Sequence, residues 1–85
     1  MLDGVFSLYE SRGVPLDIIL DKLREENYVV DWISFYKEAR YRAFWNIDTI
    51  LNKIELALND VYGKEYSDEV IKRLKFYIMN YDYED

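Results

Sequence analysis

Asn46-Ile47-Asp48-Thr49-Ile50-Leu51-Asn52-Lys53-Ile54-Glu55-Leu56-Ala57-Leu58-Asn59-Asp60-Val61-Tyr62-Gly63 is the stretch that decides the fold. Ile47, Ile50, Leu51, Ile54, Leu58 and Val61 recur at helical spacing, so they share one face of a helix of about four turns. Asn46 or Asp48 supplies the N-cap, since either side chain can accept an unpaired amide of the first turn. Gly63 ends the segment, because glycine takes the left-handed conformation past a helix end without a steric penalty.

The same period extends outward in both directions. Upstream, a segment from about Val29 to Arg42 carries Trp32, Ile33, Tyr36, Ala39 and Ala43 on one stripe, with Phe35 beside it. Asp31 is a candidate N-cap for it, in which case Tyr28-Val29-Val30 is a connector. Earlier still, Pro15 opens a helix whose buried face is Leu16, Ile19, Leu20 and Leu23, with Asp17 near the positive helix start. The first segment runs from about Asp3 to Arg12, with Val5, Phe6, Leu8 and Tyr9 on its apolar side and Gly13 as its left-handed stop. Downstream, Ser67 reads as the N-cap of a last helix that turns Val70, Ile71, Leu74, Tyr77 and Ile78 inward. The acidic tail 80–85 is expected to fray.

No stretch alternates with period two for long enough to be a strand. These patterns predict an all-α fold, a compact bundle of four to five short helices forming a single helical domain over residues 1–85, with the third to fifth segments as its main body. Leu20, Leu23, Trp32, Ile33, Tyr36, Ile50, Leu51, Ile54, Leu58, Ile71, Leu74 and Ile78 are the expected core.

Composition narrows function mainly by exclusion. The chain has 85 residues, nine Tyr, four Phe and two Trp, and neither His nor Cys. Without those two residue types, structural zinc, Fe–S clusters and Ser-His-Asp or Cys-His nucleophilic machinery are ruled out. Three isolated glycines cannot make a phosphate loop. Glu25, Glu26 and Asp31 lack the spacing of an EF-hand. The expectation is a protein that is not an enzyme and carries no metal and no cofactor. The N-terminus resembles no signal peptide, and no apolar run is long enough to span a membrane. We therefore expect a complete, soluble, cytoplasmic protein with no membrane partner.

The net charge of −6 disfavours nucleic acid, whose phosphates it would repel. Lys37, Arg40, Arg42 and Lys53 surround the junction of the third and fourth segments, where a helix-turn-helix could sit. The following helix, however, carries Asp48, Glu55 and Asp60 against a single lysine. Nucleic acid is thus not the expected partner, and a small helix-turn-helix-like nucleic-acid-binding protein is an alternative only. A further alternative is an acidic inhibitor that mimics nucleic acid, using Asp82, Glu84 and Asp85 or Asp48 and Glu55.

The aromatic surplus points instead to protein binding. Nine tyrosines exceed what a core of this size hides, and half-buried tyrosine is favoured at interfaces. Phe44 and Trp45 follow Tyr41 and are flanked by Arg40 and Arg42. They either close one end of the core or form an aromatic–arginine anchor of the kind that dominates interfaces. The candidate partner-binding residues are Arg40, Tyr41, Arg42, Phe44 and Trp45, helped by Tyr81 and Tyr83. A protein partner is expected, and so is a homo-oligomer, with a homodimer the simplest case. In type, though not by any motif, the chain resembles small accessory proteins of phages and mobile elements.

Overall fold

The fourth segment becomes the centre of the molecule. In the computed structural model, which describes residues 1–81, five helices follow one another: α1 (Val5–Arg12), α2 (Leu16–Glu25), α3 (Trp32–Tyr41), α4 (Ile47–Val61) and α5 (Lys64–Tyr81). Three quarters of the described chain is helical. Asn46, not Asp48, caps α4, its Oδ1 accepting the Thr49 amide at 2.8 Å. Ile50, Ile54, Ala57 and Leu58 are buried along α4, which packs on both α2 and α5, while α1 lies against α3. The body of the bundle is therefore α2, α4 and α5 with α3 alongside, and α2 holds a more central place than its sequence suggests.

Local chemistry sets most of the boundaries. Gly4 and Gly13 are both left-handed, with φ of 79° and 67°, and bracket α1. This sets the start of α1 at Val5, two residues after Asp3. Pro15 is extended and precedes the first helical residue, Leu16. Asp31 caps α3 by accepting the Ser34 amide at 3.2 Å, so Tyr28-Val29-Val30 is indeed a connector. It is also half of a short parallel ribbon. Leu2 donates its amide to the Val29 carbonyl at 2.7 Å and accepts from the Asp31 amide at 2.8 Å. At the other end of α2, the Arg24 guanidinium donates to the Val61 carbonyl at 2.8 Å. That places a cation on one of the open carbonyls at the α4 C-terminus.

Two expectations are corrected. Ser67 does not cap α5. Gly63, with φ of 99°, completes the turn out of α4 by itself, and α5 begins at Lys64, so Ser67 falls in its second turn. There Ser67 is fully buried, and its Oγ donates to the Glu55 carbonyl of α4 at 3.3 Å. A small residue at this position lets the two helices approach closely. Ile33 is not a core residue either, and is 38% exposed. Because α3 starts at Trp32, its inward stripe is Trp32, Phe35, Tyr36 and Ala39, one position away from Ile33.

Leu23, Leu51 and Ile78 are only half-buried, packed against the core from its rim. The core itself extends to Val5, Phe6, Leu16, Ile19, Val30, Ala57 and Val70. Asn80 and Tyr81, expected in a frayed tail, belong to the last turn of α5, where the Asn80 side-chain Nδ2 donates to the Phe76 carbonyl at 2.7 Å. Residues 82–85 lie outside the described residues. No described helix is long and apolar enough to cross a membrane.

Candidate interaction surface

The connector between α3 and α4 wraps tightly around the end of α3. Arg42 and Ala43 both donate their amides to the Glu38 carbonyl, at 3.0 and 3.2 Å, and Trp45 donates to the Ala39 carbonyl at 3.0 Å. Reversing the chain in so few residues requires one left-handed position. Phe44 supplies it, with φ of 61°. Glycine and asparagine take this conformation readily, and a bulky aromatic residue seldom does.

The turn sends its two aromatic residues in opposite directions. Trp45 points inward. Its ring meets Phe6 edge-on at 5.2 Å and Tyr9 at 6.1 Å. Phe6 in turn meets Phe35 at 5.2 Å, and Phe35 meets Trp32 at 5.3 Å. Five rings from α1, α3 and the connector thus form one cluster, in which all the ring contacts but the tilted Tyr9–Phe35 pair have the edge-to-face geometry that aromatic quadrupoles favour. Phe44 points outward and is 81% exposed. The pair is therefore divided, with Trp45 closing the core and Phe44 standing in solvent.

The remaining candidates are placed as follows. Tyr41, in the last turn of α3, is about half exposed. Arg42 is exposed and paired with Glu38 at 3.5 Å. Arg40 is half-buried. Tyr81 lies against Tyr77 at 5.4 Å, and Tyr77 against the buried Tyr36 at 6.4 Å. That ladder of rings joins α3 to α5 and is distinct from the cluster under Phe44. Tyr83 lies outside the described residues, as do Asp82, Glu84 and Asp85. Tyr41, Arg42 and Phe44 are thus all exposed, at the end of α3 and in the connector after it, and Arg40 is half-buried.

The other basic residues named by the sequence lie beside rings or carboxylates. Lys37 stands over the Tyr77 ring at 5.7 Å. Lys53 lines a groove with Tyr9, Leu16, Asp17 and Asp60, where two carboxylates offset its charge. Asp48 and Glu55 line another groove together with Lys75. Among the described residues, no group of three His, Cys, Asp or Glu side chains is arranged to hold a metal ion.

Electrostatic perturbation concentrates at the α4–α5 turn, away from Phe44. Burial raises the Tyr62 phenol above its usual value, and the neighbouring Tyr66 adds to the shift, while Arg24 opposes it. The two rings stack at 4.5 Å. Lys64 is raised by its hydrogen bond to Asp68, 3.0 Å away, and by that carboxylate's charge.

Sequence reasoning missed the partners of Trp45. The apolar side of α1 was legible, but its contact with a residue nearly forty positions on is tertiary. It also passed over Phe76 and Met79, 65% and 75% exposed on α5. Their spacing from Lys72 was the available signal. Comparison of the chain with protein-family models, with curated proteins and with solved structures gives no match.

Proposed function

We propose that the chain is a non-enzymatic protein-binding module, a cytoplasmic accessory, adaptor or inhibitor that engages a specific protein through the rim around Phe44. One observation carries this reading. Phe44 occupies a left-handed backbone position and leaves its ring in water. If reversing the chain were the only demand, glycine or asparagine would meet it at lower conformational cost, by about 1–2 kcal/mol. An exposed ring on a rigid tight turn suits insertion into an apolar pocket of a partner. Tyr41 and Arg42 form the polar rim that surrounds such an anchor.

Placing a photo-crosslinking phenylalanine analogue at position 44 in the native host tests this. A defined protein should be captured there, and the same analogue at the exposed Leu56 should not capture it. With that protein purified, Phe44→Ala should weaken binding by at least about thirtyfold, the scale of an aromatic hot spot, with the helical circular dichroism unchanged. Unchanged affinity in the folded variant would refute the assignment. Trp45→Ala is a poor probe, since Trp45 also holds α1 to the core.

A further inference from the structure

The outward face of α5 carries a second pattern. Glu65, Glu69, Lys72, Phe76 and Met79 follow one another at spacings of four, three, four and three. That spacing keeps the five side chains on one face of the helix. All five are exposed, because α5 buries its opposite face, Ser67, Val70, Ile71 and Leu74, against the bundle. The stripe is polarised, with carboxylates at its start, Lys72 in its middle and two large apolar side chains at its end.

Charge on α5 divides in the same way. Its first turns hold Glu65, Asp68 and Glu69, and its later turns hold Lys72, Arg73 and Lys75. The helix dipole favours this order, but only within the first and last turns, whereas Glu69 and Lys72 lie mid-helix. Asp68 is engaged by Lys64. Among the described residues, Glu65, Glu69, Lys72, Arg73 and Lys75 are in no ion pair. In a chain with a net charge of −6, Lys72, an exposed cation in no ion pair and on one stripe with Phe76 and Met79, suits a negative surface. The acidic half of α5 itself is one.

We propose that this face binds a second copy of the chain, with the two α5 helices antiparallel about a two-fold axis near Val70–Ile71. A two-fold contact repeats each pairing, so complementarity within one stripe is satisfied twice. In this register, Glu69 of one copy faces Lys72 of the other, and Glu65 faces the region of Phe76. Phe76 and Met79 then lie toward the start of the opposite α5, near its stacked Tyr62 and Tyr66. An 18-residue helix is about 27 Å long. One helix face of that length buries less than the roughly 1,200 Å² of a standard interface. The pair is therefore weak and concentration-dependent, and salt weakens it further. This face is separate from the Phe44 connector, and its occupant is independent of any other partner.

Sedimentation equilibrium of the full chain from about 10 μM to 1 mM tests the proposal. The weight-average mass should rise toward twice the monomer value, and Lys72→Glu should weaken the pairing at least about tenfold, as expected when opposite charges become like charges. An equimolar mixture of Lys72→Glu and Glu69→Lys chains should restore it, since each then offers the other its missing sign. The double variant E69K/K72E should pair with itself. Circular dichroism checks that each variant remains helical. A monomer throughout, a dimer indifferent to Lys72→Glu, or a charge swap that fails to rescue would each overturn the proposal.

Discussion

Replacing Phe6 with alanine should bring the protein close to unfolding. Phe6 is 2% exposed and is the more deeply buried of the two α1 rings, Phe6 and Tyr9, that reach the core. It meets Phe35 at 5.2 Å and 89°, Trp45 at 5.2 Å and 80°, and Tyr9 at 6.4 Å and 63°. A buried Phe→Ala change costs about 3–5 kcal/mol in transfer and cavity terms. Edge-to-face pairs each add about 0.5–1.5 kcal/mol beyond area, which favours the upper end of that range. A chain of 85 residues has about 4–13 kcal/mol of net stability to lose. Urea unfolding followed by circular dichroism at 222 nm is the assay. With a slope of about 1 kcal/mol per molar, the midpoint should fall by about 3 M or more, or the variant should be unfolded without denaturant. Leu8→Ala is the control, lying in the same helix but 41% exposed, and should cost less than about 1 kcal/mol. A loss below about 1 kcal/mol for Phe6→Ala, or one no larger than the control's, would mean that α1 is not docked on α3 as described.

Two further outcomes follow from the α4–α5 contact. Ser67→Ala should cost no more than about 1 kcal/mol, the net worth of one neutral hydrogen bond, whereas Ser67→Leu should cost about 1–3 kcal/mol by forcing the helices apart; urea midpoints distinguish these, and equal effects would argue against close approach. Alkaline pH should destabilise the fold. Tyr62 and Lys64 both have folded values raised above their unfolded ones. Their contribution is therefore complete below about pH 10 and is lost as pH rises through the raised values. Thermal midpoints measured from pH 8 to 11 should fall at the upper end, and Tyr62→Phe should flatten that fall; an unchanged slope would remove Tyr62 as a cause.

The legible parts of this fold are those with local physical causes. The α4 stripe, the caps Asn46 and Asp31, and the left-handed Gly13 all follow from side-chain chemistry within a few residues. What was hidden depends on distant neighbours. Ser67 looked like a cap because Ser, Asp and Glu in succession suit a helix start. It is instead a close-approach residue, because Gly63 alone completes the turn. Ile33 and Phe35 exchanged places because they flank the stripe of Trp32, Tyr36 and Ala39 on opposite sides, and the covered flank is the one on which Phe6 of α1 packs, against Phe35. The candidate site was legible as a concentration of aromatic residues. The separate roles of Phe44 and Trp45 were not, because no sequence signal marks a phenylalanine for a left-handed position. The outward stripe on α5 carries no apolar periodicity before Phe76, so the stronger inward period of Val70, Ile71 and Leu74 masks it.

The ribbon between Leu2 and Val30 closes roughly thirty residues of chain into a loop that contains α1 and α2. Drawing the ends of such a loop together costs about 3 kcal/mol of chain freedom before any contact offsets it. Leu2 is a fastener here, and its hydrogen bonds to Val29 and Asp31 hold the loop shut. Amide exchange at Leu2 and Asp31 therefore reports one event, the opening of that loop, and the two protons should exchange together. A cut that removes Leu2 opens that loop and leaves α1 held by Val5, Phe6 and Tyr9 and α2 by its packing on α4.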